Sequence, residues 1–344
     1  MSPGLKVIAP GLHSTIQDFG RFGYRSAGVP VAGALDRIGL TLANGLVGNP
    51  ANSAALEILV QGPVLEVTVT SARLALVGGS GGLIVEGTHP RAIPPGRSVR
   101  LARGERVRTA PLGEVACAYL AAEGGFEMPL CLGSAATYAR GRMGGLHGRA
   151  LQAGDVVPLR LDDVAARPEV AMGTAYNLAA DEPIRVVLGP QLDYFTEQAI
   201  ETLLSATFTV SSRADRMGFR LDGPQLVHAK GYNIVSDGIV TGSIQVPGSG
   251  QAVVLLVDSQ TTGGYPKIAT VISADLPAIG RRLPGAAVQF AAVSQEDAEA
   301  LRREQHRTVA QWIRNFRPVE DAIRIDVGEL YLANLVDGVT SAFD

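Results

Sequence analysis

The chain has 344 residues, of which 46% are hydrophobic and 18% charged, and it contains 41 glycines and 20 prolines. This composition excludes a disordered protein, favours β-structure with many tight turns, and at this length suits two domains. The formal net charge is −3, and no basic cluster carries an aromatic platform, which argues against nucleic acid as a partner.

The N-terminus and the cysteines indicate the compartment. The first fifteen residues lack an apolar signal region, and no run approaches the roughly 20 apolar residues of a membrane span. Cys117 and Cys131 are the only cysteines, which suits reduced thiols better than a disulfide scaffold. We therefore expect a cytoplasmic protein that does not bind a membrane. No metal-ligand spacing is present, so we predict no metal site.

The first elements in chain order are a strand over residues 5–8, a polar stretch over 15–36 and a helix over 35–47. The helix is predicted from the spacing of its apolar residues and from the stop signal Gly48-Asn49-Pro50. Asp36 falls in its first turn, where a carboxylate also suits the helix dipole. Capping and a functional role both remain open for this residue.

Short strands are predicted next, over residues 55–60, 65–69, 73–77 and 83–86. Between the last two, residues 78–82 match the G-x-S-x-G pattern of a hydrolase nucleophile elbow, with Ser80 in the nucleophile position. An elbow requires a helix after the turn, whereas here a strand continues. We interpret the segment as a hairpin turn, and Ser80 as no nucleophile.

A polar, irregular segment around residues 161–181 predicts the domain boundary, with one domain over 1–178 and the second over 179–344. In the second domain we predict strands over 184–188 and 208–211 and a helix over 194–205. Ser294 and Asp297 form a possible capping box that begins a charged C-terminal helix.

The stretch over residues 236–290 dominates the second domain. Two apolar runs, 253–257 and 268–272, predict buried strands on either side of a polar loop that runs from Asp258 to Lys267 and contains a glycine pair. Paired glycines let a backbone approach a ligand closely, and Lys267 is one of only three lysines. Loop chemistry alone favours a simple turn.

Two long motifs carry a family resemblance. They are GSIQVPGSGQAVVLLVDSQTTGGYPKIATVISADL over 242–276 and TIQDFGRFGYRSAGVPVAGALDR over 15–37. Both resemble the biotin-dependent carboxyltransferase family, which includes the C subunit of bacterial 5-oxoprolinase, Kip-type regulatory proteins and a region of urea carboxylase and urea amidolyase. The resemblance implies a mainly β fold with two cyclophilin-like β-barrel domains and a few short helices.

Two positions depart from the family pattern in the middle section of the chain. Glu123 stands where the relatives have a small residue or glycine, and Ala135 stands where their Gly-Ser loop carries an arginine. The loop thus lacks a cation that would contact an anion.

The resemblance implies chemistry on small urea-like or lactam amides. The chain has no Met-Lys-Met biotin-attachment site and no G-x-x-x-x-G-K-[ST] phosphate loop, so we expect one subunit of an assembly. The end of TTGGYPK is similar to the stand-alone bacterial type. We predict the C subunit of an ATP-dependent 5-oxoprolinase, which opens pyroglutamate to L-glutamate and is inactive alone.

The same prediction names its partners: an A subunit and a B subunit similar to the Kip inhibitor, with ATP bound at the assembled complex and no covalent biotin on this chain. The alternatives are a biotin-dependent urea or amide carboxyltransferase subunit, and a non-catalytic Kip-type regulator that binds a kinase-inhibitor partner. Among the motif residues we predict Lys267, Asp18 and Asp36 as catalytic. The substrate-binding candidates are Arg21, Arg216, Gln245, Gln260, Thr261, Gly263, Gly264 and Tyr265.

Overall fold

The structure is a computed structural model that describes residues 3–173, 176 and 182–319. Its fold is mainly β with four α-helices among the described residues, as the resemblance implies. The predicted domain boundary at residues 178/179 and the tail beyond residue 319 lie outside the described residues.

Residues 4–171 form two antiparallel sheets and one helix. The elements are β1 (Gly4–Ala9), β2 (His13–Gln17), α1 (Arg37–Leu46), β3 (Ala55–Leu59), β4 (Val64–Val67), β5 (Ser71–Val77), β6 (Leu83–Glu86), β7 (Arg91–Ile93), β8 (Ser98–Ala102), β9 (Arg106–Thr109), β10 (Cys117–Ala122), β11 (Val156–Pro158) and β12 (Val170–Ala171). One sheet has the order β11-β1-β4-β9-β6-β7, and the other has the order β2-β3-β10-β5-β8.

Residues 184–318 form one eight-stranded, nearly closed barrel sheet with three helices. The elements are β13 (Ile184–Leu188), α2 (Glu197–Ser205), β14 (Phe208–Asp215), β15 (Gly218–Asp222), β16 (Asp237–Gly238), β17 (Ser243–Gln245), β18 (Val253–Leu255), β19 (Thr262–Gly263), β20 (Lys267–Val271), α3 (Leu276–Gly280), β21 (Ala287–Val288), β22 (Phe290–Ala292), α4 (Gln295–Arg314) and β23 (Arg317–Pro318). The order of the eight strands in the barrel sheet is β21-β14-β15-β18-β17-β20-β13-β22. Outside this sheet, β16 pairs with β19, and β23 pairs with β12 of the first half.

The hydrophobic core explains why the sequence of β10 is apolar at every position. Successive side chains of a strand point to opposite faces, and all six residues of β10 are buried. Ala118 and Leu120 face the other sheet of the N-terminal half, whereas Cys117 and Tyr119 belong to a second cluster that also contains the core of the C-terminal barrel. The two halves therefore share one of the two hydrophobic clusters.

Helix positions follow the local signals. α1 begins at Arg37, two residues after the predicted start, because Asp36 is its N-cap and does not belong to the first turn. α4 begins at the predicted capping box, where the Ser294 hydroxyl accepts a bond from the Asp297 N–H. α4 spans 20 residues and is not short. The predicted helix over 194–205 starts three residues late, because Thr196 caps α2 and a 3₁₀ turn precedes it.

The hairpin interpretation of residues 78–82 is wrong, although the strand after them is confirmed. β5 and β6 belong to different sheets, so the loop crosses from one sheet to the other. A Cβ at Gly78 would come within 2.7 Å of the Ala118 Cα atom, and the Ser80 N–H donates to the Leu112 carbonyl. Glycine is required here because the loop presses against the neighbouring strand β10.

Glu123, the first departure from the family pattern, has a structural partner. The Arg73 side chain is fully buried, and its guanidinium lies 2.5 Å from Glu123 and 3.1 Å from Glu169. A buried guanidinium requires such carboxylates. Glu123 thus stabilises the charge of Arg73 in β5.

No helix in the described part of the chain combines the length and the apolar character that a membrane crossing would need.

Candidate functional site

The polar loop over residues 258–266 folds back as half of a two-stranded ribbon. β19 in this loop pairs with β16, with Asp237 opposite Gly263 and Gly238 opposite Thr262. The ribbon, defined here as β16 with β19, passes over β17, which lies between β18 and β20 in the sheet. Carbonyls of Thr261 and Gly264 accept hydrogen bonds from Ile239 and Ile234. The predicted loop is therefore ordered by main-chain bonds.

The glycine pair contributes unequally to this packing. A Cβ at Gly263 would lie 2.7 Å from the Ile239 Cδ1 atom and 2.8 Å from the Gln245 Nε2 atom, whereas the nearest atom to a Cβ at Gly264 is 3.4 Å away. Gly263 is therefore required for close contact between the ribbon and the side chain of Gln245. Gly264 has space for a methyl group.

Lys267 anchors the ribbon. Its side chain is 4% exposed, and its ammonium donates to the Asp237 carboxylate at 2.5 Å and to the Gly238 carbonyl at 2.9 Å. The hydrogen bond from Lys267, followed by the Gly238 N–H, lowers the pKa of Asp237. In this structure Lys267 holds the ribbon down on the sheet.

Strand register aligns four side chains across the outer face of the barrel. Arg220 pairs with Val253, Val253 with Gln245, and Gln245 with Lys267. Directly paired residues of neighbouring strands face the same side of a sheet, and three strand spacings amount to roughly 14 Å. We name this line of residues the row. Its chain neighbours Phe219, Val254, Ile244 and Ile268 face the core.

A groove with a volume of about 320 Å³ lies along the row. Gln245, Gln260 and Tyr265 form one end, and the Gln245 amide is oriented by the Tyr265 carbonyl at 3.3 Å and by the Gln260 amide at 3.5 Å. The other end is lined by Arg140, Arg213 and Arg220. The groove therefore combines three residues that the sequence predicted for binding, Gln245, Gln260 and Tyr265, with three arginines that it did not predict.

Arg216 lies away from the row, at the junction between the two halves. Its guanidinium binds Glu57 from the first half, both oxygens of Asp258 at 3.0 and 3.1 Å, and the Gly33 carbonyl at 2.6 Å. Burial alone would lower its pKa, but the Glu57 and Asp258 carboxylates outweigh burial and raise it. These partners engage all three nitrogens of the guanidinium, and the binding role of Arg216 remains a prediction.

Asp36 also belongs to the junction. Its carboxylate accepts bonds from the N–H groups of Ile38 and Gly39 and lies 3.1 Å from the Arg281 guanidinium. Arg281 stacks over the Tyr176 ring at 4.7 Å. The structure thus gives Asp36 the capping role that the sequence left open, together with a buried ion pair.

Asp18 and Arg21 fasten the loop that carries Ala135. Asp18 accepts bonds from the Ser134 hydroxyl at 2.6 Å and from the N–H groups of Gly20 and Ala135 at 2.7 Å. Arg21 is 1% exposed and donates to the carbonyls of Ala136 and Cys131. Both side chains are directed into the first half, and their predicted roles in substrate chemistry remain predictions.

A second cavity, of about 350 Å³, adjoins the groove and shares Arg140, Asp215 and Met217 with it. It leads to His13 at the start of β2 and to Arg216. Burial, and then the charge of Arg216, lowers the pKa of His13. The groove therefore continues toward the junction, where a neutral imidazole lines the wall.

Of the three arginines that the sequence analysis did not predict, Arg220 could have been found from a local pattern. In β15 the buried Phe219 and Leu221 alternate with the exposed Arg220 and Asp222, a period of two that predicts an outward-facing arginine. No local pattern indicates a position in the groove for Arg140, because it reaches the groove from a 3₁₀ turn of the other half.

Comparisons with known proteins agree with this architecture. The family model "Carboxyltransferase domain, subdomain A and B" matches residues 27–292. The chain is 34% identical to the C subunit of 5-oxoprolinase from Escherichia coli over 307 residues, which are 89% of this chain and 97% of that protein. Among solved structures, Kluyveromyces lactis urea carboxylase superposes with a TM-score of 0.82 at 30% identity, and covers 91% of this chain and 29% of its own. TTHA0988 gives 0.75 at 37% identity, with 84% of this chain and 55% of its own.

Proposed function

Because this chain belongs to the carboxyltransferase domain family, we propose that it is the C subunit of an ATP-dependent 5-oxoprolinase and that the groove binds the substrate amide. The E. coli relative, itself named as the C subunit of a 5-oxoprolinase, is matched over nearly its whole length. Its name supports an assembly, in which we place an A subunit and a B subunit similar to the Kip inhibitor. In this proposal the assembly is cytoplasmic and binds ATP outside this chain, which carries no covalent biotin.

The amide end of the groove is the observation that carries the proposal. A lactam presents one carbonyl acceptor and one N–H donor, and a primary amide side chain offers the complementary pair. Gln245 is 3% exposed and held by Tyr265 and Gln260, so its amide is fixed before a ligand arrives. A fixed donor at the lactam oxygen stabilises the charge that develops there when the ring opens.

Lys267 acts through the ribbon in this mechanism. One strand of the ribbon carries Gly263, with Thr261, Gly264 and Tyr265 close to its ends, and Lys267 fixes the other strand through Asp237. We therefore assign Lys267 as a positioning residue. Direct catalysis by Lys267, Asp18 or Asp36 requires a movement that frees each from its protein partners.

A partner subunit has a suitable surface beside the groove. Tyr232, Val235, Val240 and Tyr265 lie on or next to the ribbon and are exposed by 50, 92, 56 and 41%. Adjacent exposed apolar side chains are typical of protein contact sites. A partner bound there would cover the amide end of the groove and exclude water from it.

The test is reconstitution. We expect pyroglutamate-dependent ATP hydrolysis and glutamate release only when this chain is mixed with its A and B subunits. Gln245→Met should lower the rate about fivefold or more, since a lost hydrogen bond is worth roughly 1 kcal/mol or more and 1.4 kcal/mol is tenfold. Gln251→Met, which alters an exposed amide bonded to Asp222 outside the groove, should leave the rate unchanged.

The TM-score with urea carboxylase favours a second candidate, a carboxyltransferase subunit that takes its carboxyl group from biotin on another component. Bicarbonate-dependent carboxylation of urea by the reconstituted complex, or full turnover of pyroglutamate by this chain alone, would overturn the primary proposal. Absence of any turnover in the complete complex would favour the non-catalytic regulator.

A further inference from the structure

Arg213 and Arg220 occupy neighbouring places on the wall of the groove. Ala214 of β14 pairs with Phe219 of β15. Because the two strands are antiparallel, Arg213, one residue before Ala214, and Arg220, one residue after Phe219, lie on the same side of this pair. Both side chains line the groove, and Arg220 belongs to the row that also contains Gln245. Two guanidinium groups thus face the same space from adjacent strands.

Neither guanidinium has a hydrogen bond or an ion pair to any described residue. Among the described residues that line the groove, Asp215 is the one carboxylate. It is already bound to Arg140 at 3.3 Å and to the N–H groups of Met217 and Gly218. Three arginines therefore face one carboxylate. Two positive charges that face one groove repel each other, and an anion between Arg213 and Arg220 would remove this repulsion.

We propose that Arg213 and Arg220 form an oxyanion subsite of the groove and that it binds the carboxylate of the substrate. A guanidinium presents parallel N–H donors that match the two oxygens of a carboxylate or phosphate. Gln245 lies two strands from Arg220, a backbone distance of roughly 10 Å, and the long arginine side chains shorten the gap between their donors and the amide. A small molecule with an anionic group beside an amide satisfies both ends at once.

This subsite sets the substrate class. A carboxylated lactam engages the arginines and Gln245 together, whereas neutral urea leaves the two guanidinium groups without an anion. The choice of a lactam as the amide rests on the proposed function. The oxyanion subsite itself rests on the two arginines alone.

Binding is measured by calorimetry on the isolated chain and on the reconstituted complex, with four probes: L-pyroglutamate, 2-pyrrolidinone (the same lactam without a carboxylate), inorganic phosphate and urea. We expect L-pyroglutamate to bind at least about tenfold more tightly than 2-pyrrolidinone, and phosphate to compete with it. The double variant R213Q/R220Q should weaken pyroglutamate and phosphate binding by about ten- to a hundredfold and leave 2-pyrrolidinone binding unchanged. R303Q, which alters an exposed arginine on α4, is the matched control.

In the reconstituted complex, R220Q should raise the KM for pyroglutamate more than it lowers kcat, and R220K should restore part of the loss, because lysine keeps the charge without the fork. Equal affinities of the wild type for the two lactams, or unchanged pyroglutamate binding in R213Q/R220Q, would overturn the carboxylate assignment. Arginine-dependent binding of phosphate but not pyroglutamate would assign the subsite to a phosphoryl group and also overturn it. If neither anion binds to the chain or the complex, no subsite exists.

The two proposals fail separately. Arginine-dependent binding of the anions in a complex without 5-oxoprolinase activity would keep the subsite and reject the proposed reaction. An active complex whose kinetics do not respond to R213Q/R220Q would keep the reaction and reject the subsite.

Discussion

Arg216 and Arg220 are four residues apart, yet they lie in two regions that treat charge in opposite ways. At the junction between the halves, Arg216 is enclosed by Glu57, Asp258 and a carbonyl. In the groove, the guanidinium of the exposed Arg220 has no hydrogen bond or ion pair to any described residue. Both positions belong to the same arginine-rich segment, so residue type does not separate them.

The difference shows what to look for in a candidate site. A buried ion that is completely paired stabilises the structure around it and has no capacity left for a ligand. An unpaired guanidinium in a groove keeps its donors for an incoming anion. Substitutions at the junction should therefore change stability more than substitutions in the groove.

Arg216→Met should destabilise the protein by roughly 3–5 kcal/mol, because it leaves the carboxylates of Glu57 and Asp258 buried without their cation. Chemical denaturation of the full chain measures the loss. Arg220→Met, the matched change in the groove, should stay within about 0.5 kcal/mol of the wild type. Equal losses in the two variants would remove the distinction between the regions. If Arg216→Met does not fold, Arg216→Lys should fold with part of the loss.

Gly263→Ala should cost about 1–3 kcal/mol, or displace the ribbon, because the new methyl group would overlap the Gln245 amide and Ile239. Gly264→Ala is the control, and it should be neutral or stabilising by up to about 1 kcal/mol, since it reduces the freedom of the unfolded chain without a clash. Thermal denaturation and pyroglutamate binding are measured for both. A neutral Gly263→Ala with normal binding would mean that the ribbon is not packed on Gln245.

Asp36→Ala should be less stable than Asp36→Asn by about 1 kcal/mol. Both variants lose the ion pair with Arg281, but asparagine still caps α1 through the N–H groups of Ile38 and Gly39. The difference in the free energy of unfolding therefore isolates the cap. Indistinguishable variants would assign the whole contribution of Asp36 to the ion pair.

His13 should give the smallest effect, as a dependence of stability on pH. Its pKa in the folded protein is lowered from the usual 6.5, so folding favours the neutral imidazole. The contribution is complete above pH 6.5 and is lost as the pH falls through the folded pKa. His13→Gln should reduce the decrease in melting temperature between pH 7.5 and 5 by about 1–2 °C.

His306 contributes a similar dependence, because its pKa is lowered mainly by Arg302. His306→Gln is therefore measured beside His13→Gln. An unchanged pH profile in His13→Gln would show that the wall of the second cavity admits water to the imidazole.

Much of the fold followed from local signals, and the site only partly did. Alternation, caps and glycine punctuation located α1, α4 and most long strands, because these signals act within a few residues. The motif around the polar loop drew attention to Gln245, Gln260 and Tyr265, which the structure brings together in one groove, and their role in binding stays a prediction. Arg216 was predicted to bind substrate, but the structure places it at the junction. Its partner Glu57 is 159 residues away, and no local pattern indicates a contact over that distance. The prediction of a hairpin at residues 78–82 is wrong for the same reason, because β5 and β6 are neighbours in the chain but belong to different sheets.

The double-sided burial of β10 bears on how the molecule melts. Its alternate side chains belong to both hydrophobic clusters, and the junction adds main-chain bonds such as Ala32 to Val257 and Ala116 to Arg281. Neither half can lose its structure without exposing apolar surface of the other. We therefore expect one cooperative calorimetric transition, with equal van't Hoff and calorimetric enthalpies. A chain nicked by protease between the halves should stay associated until that same temperature range.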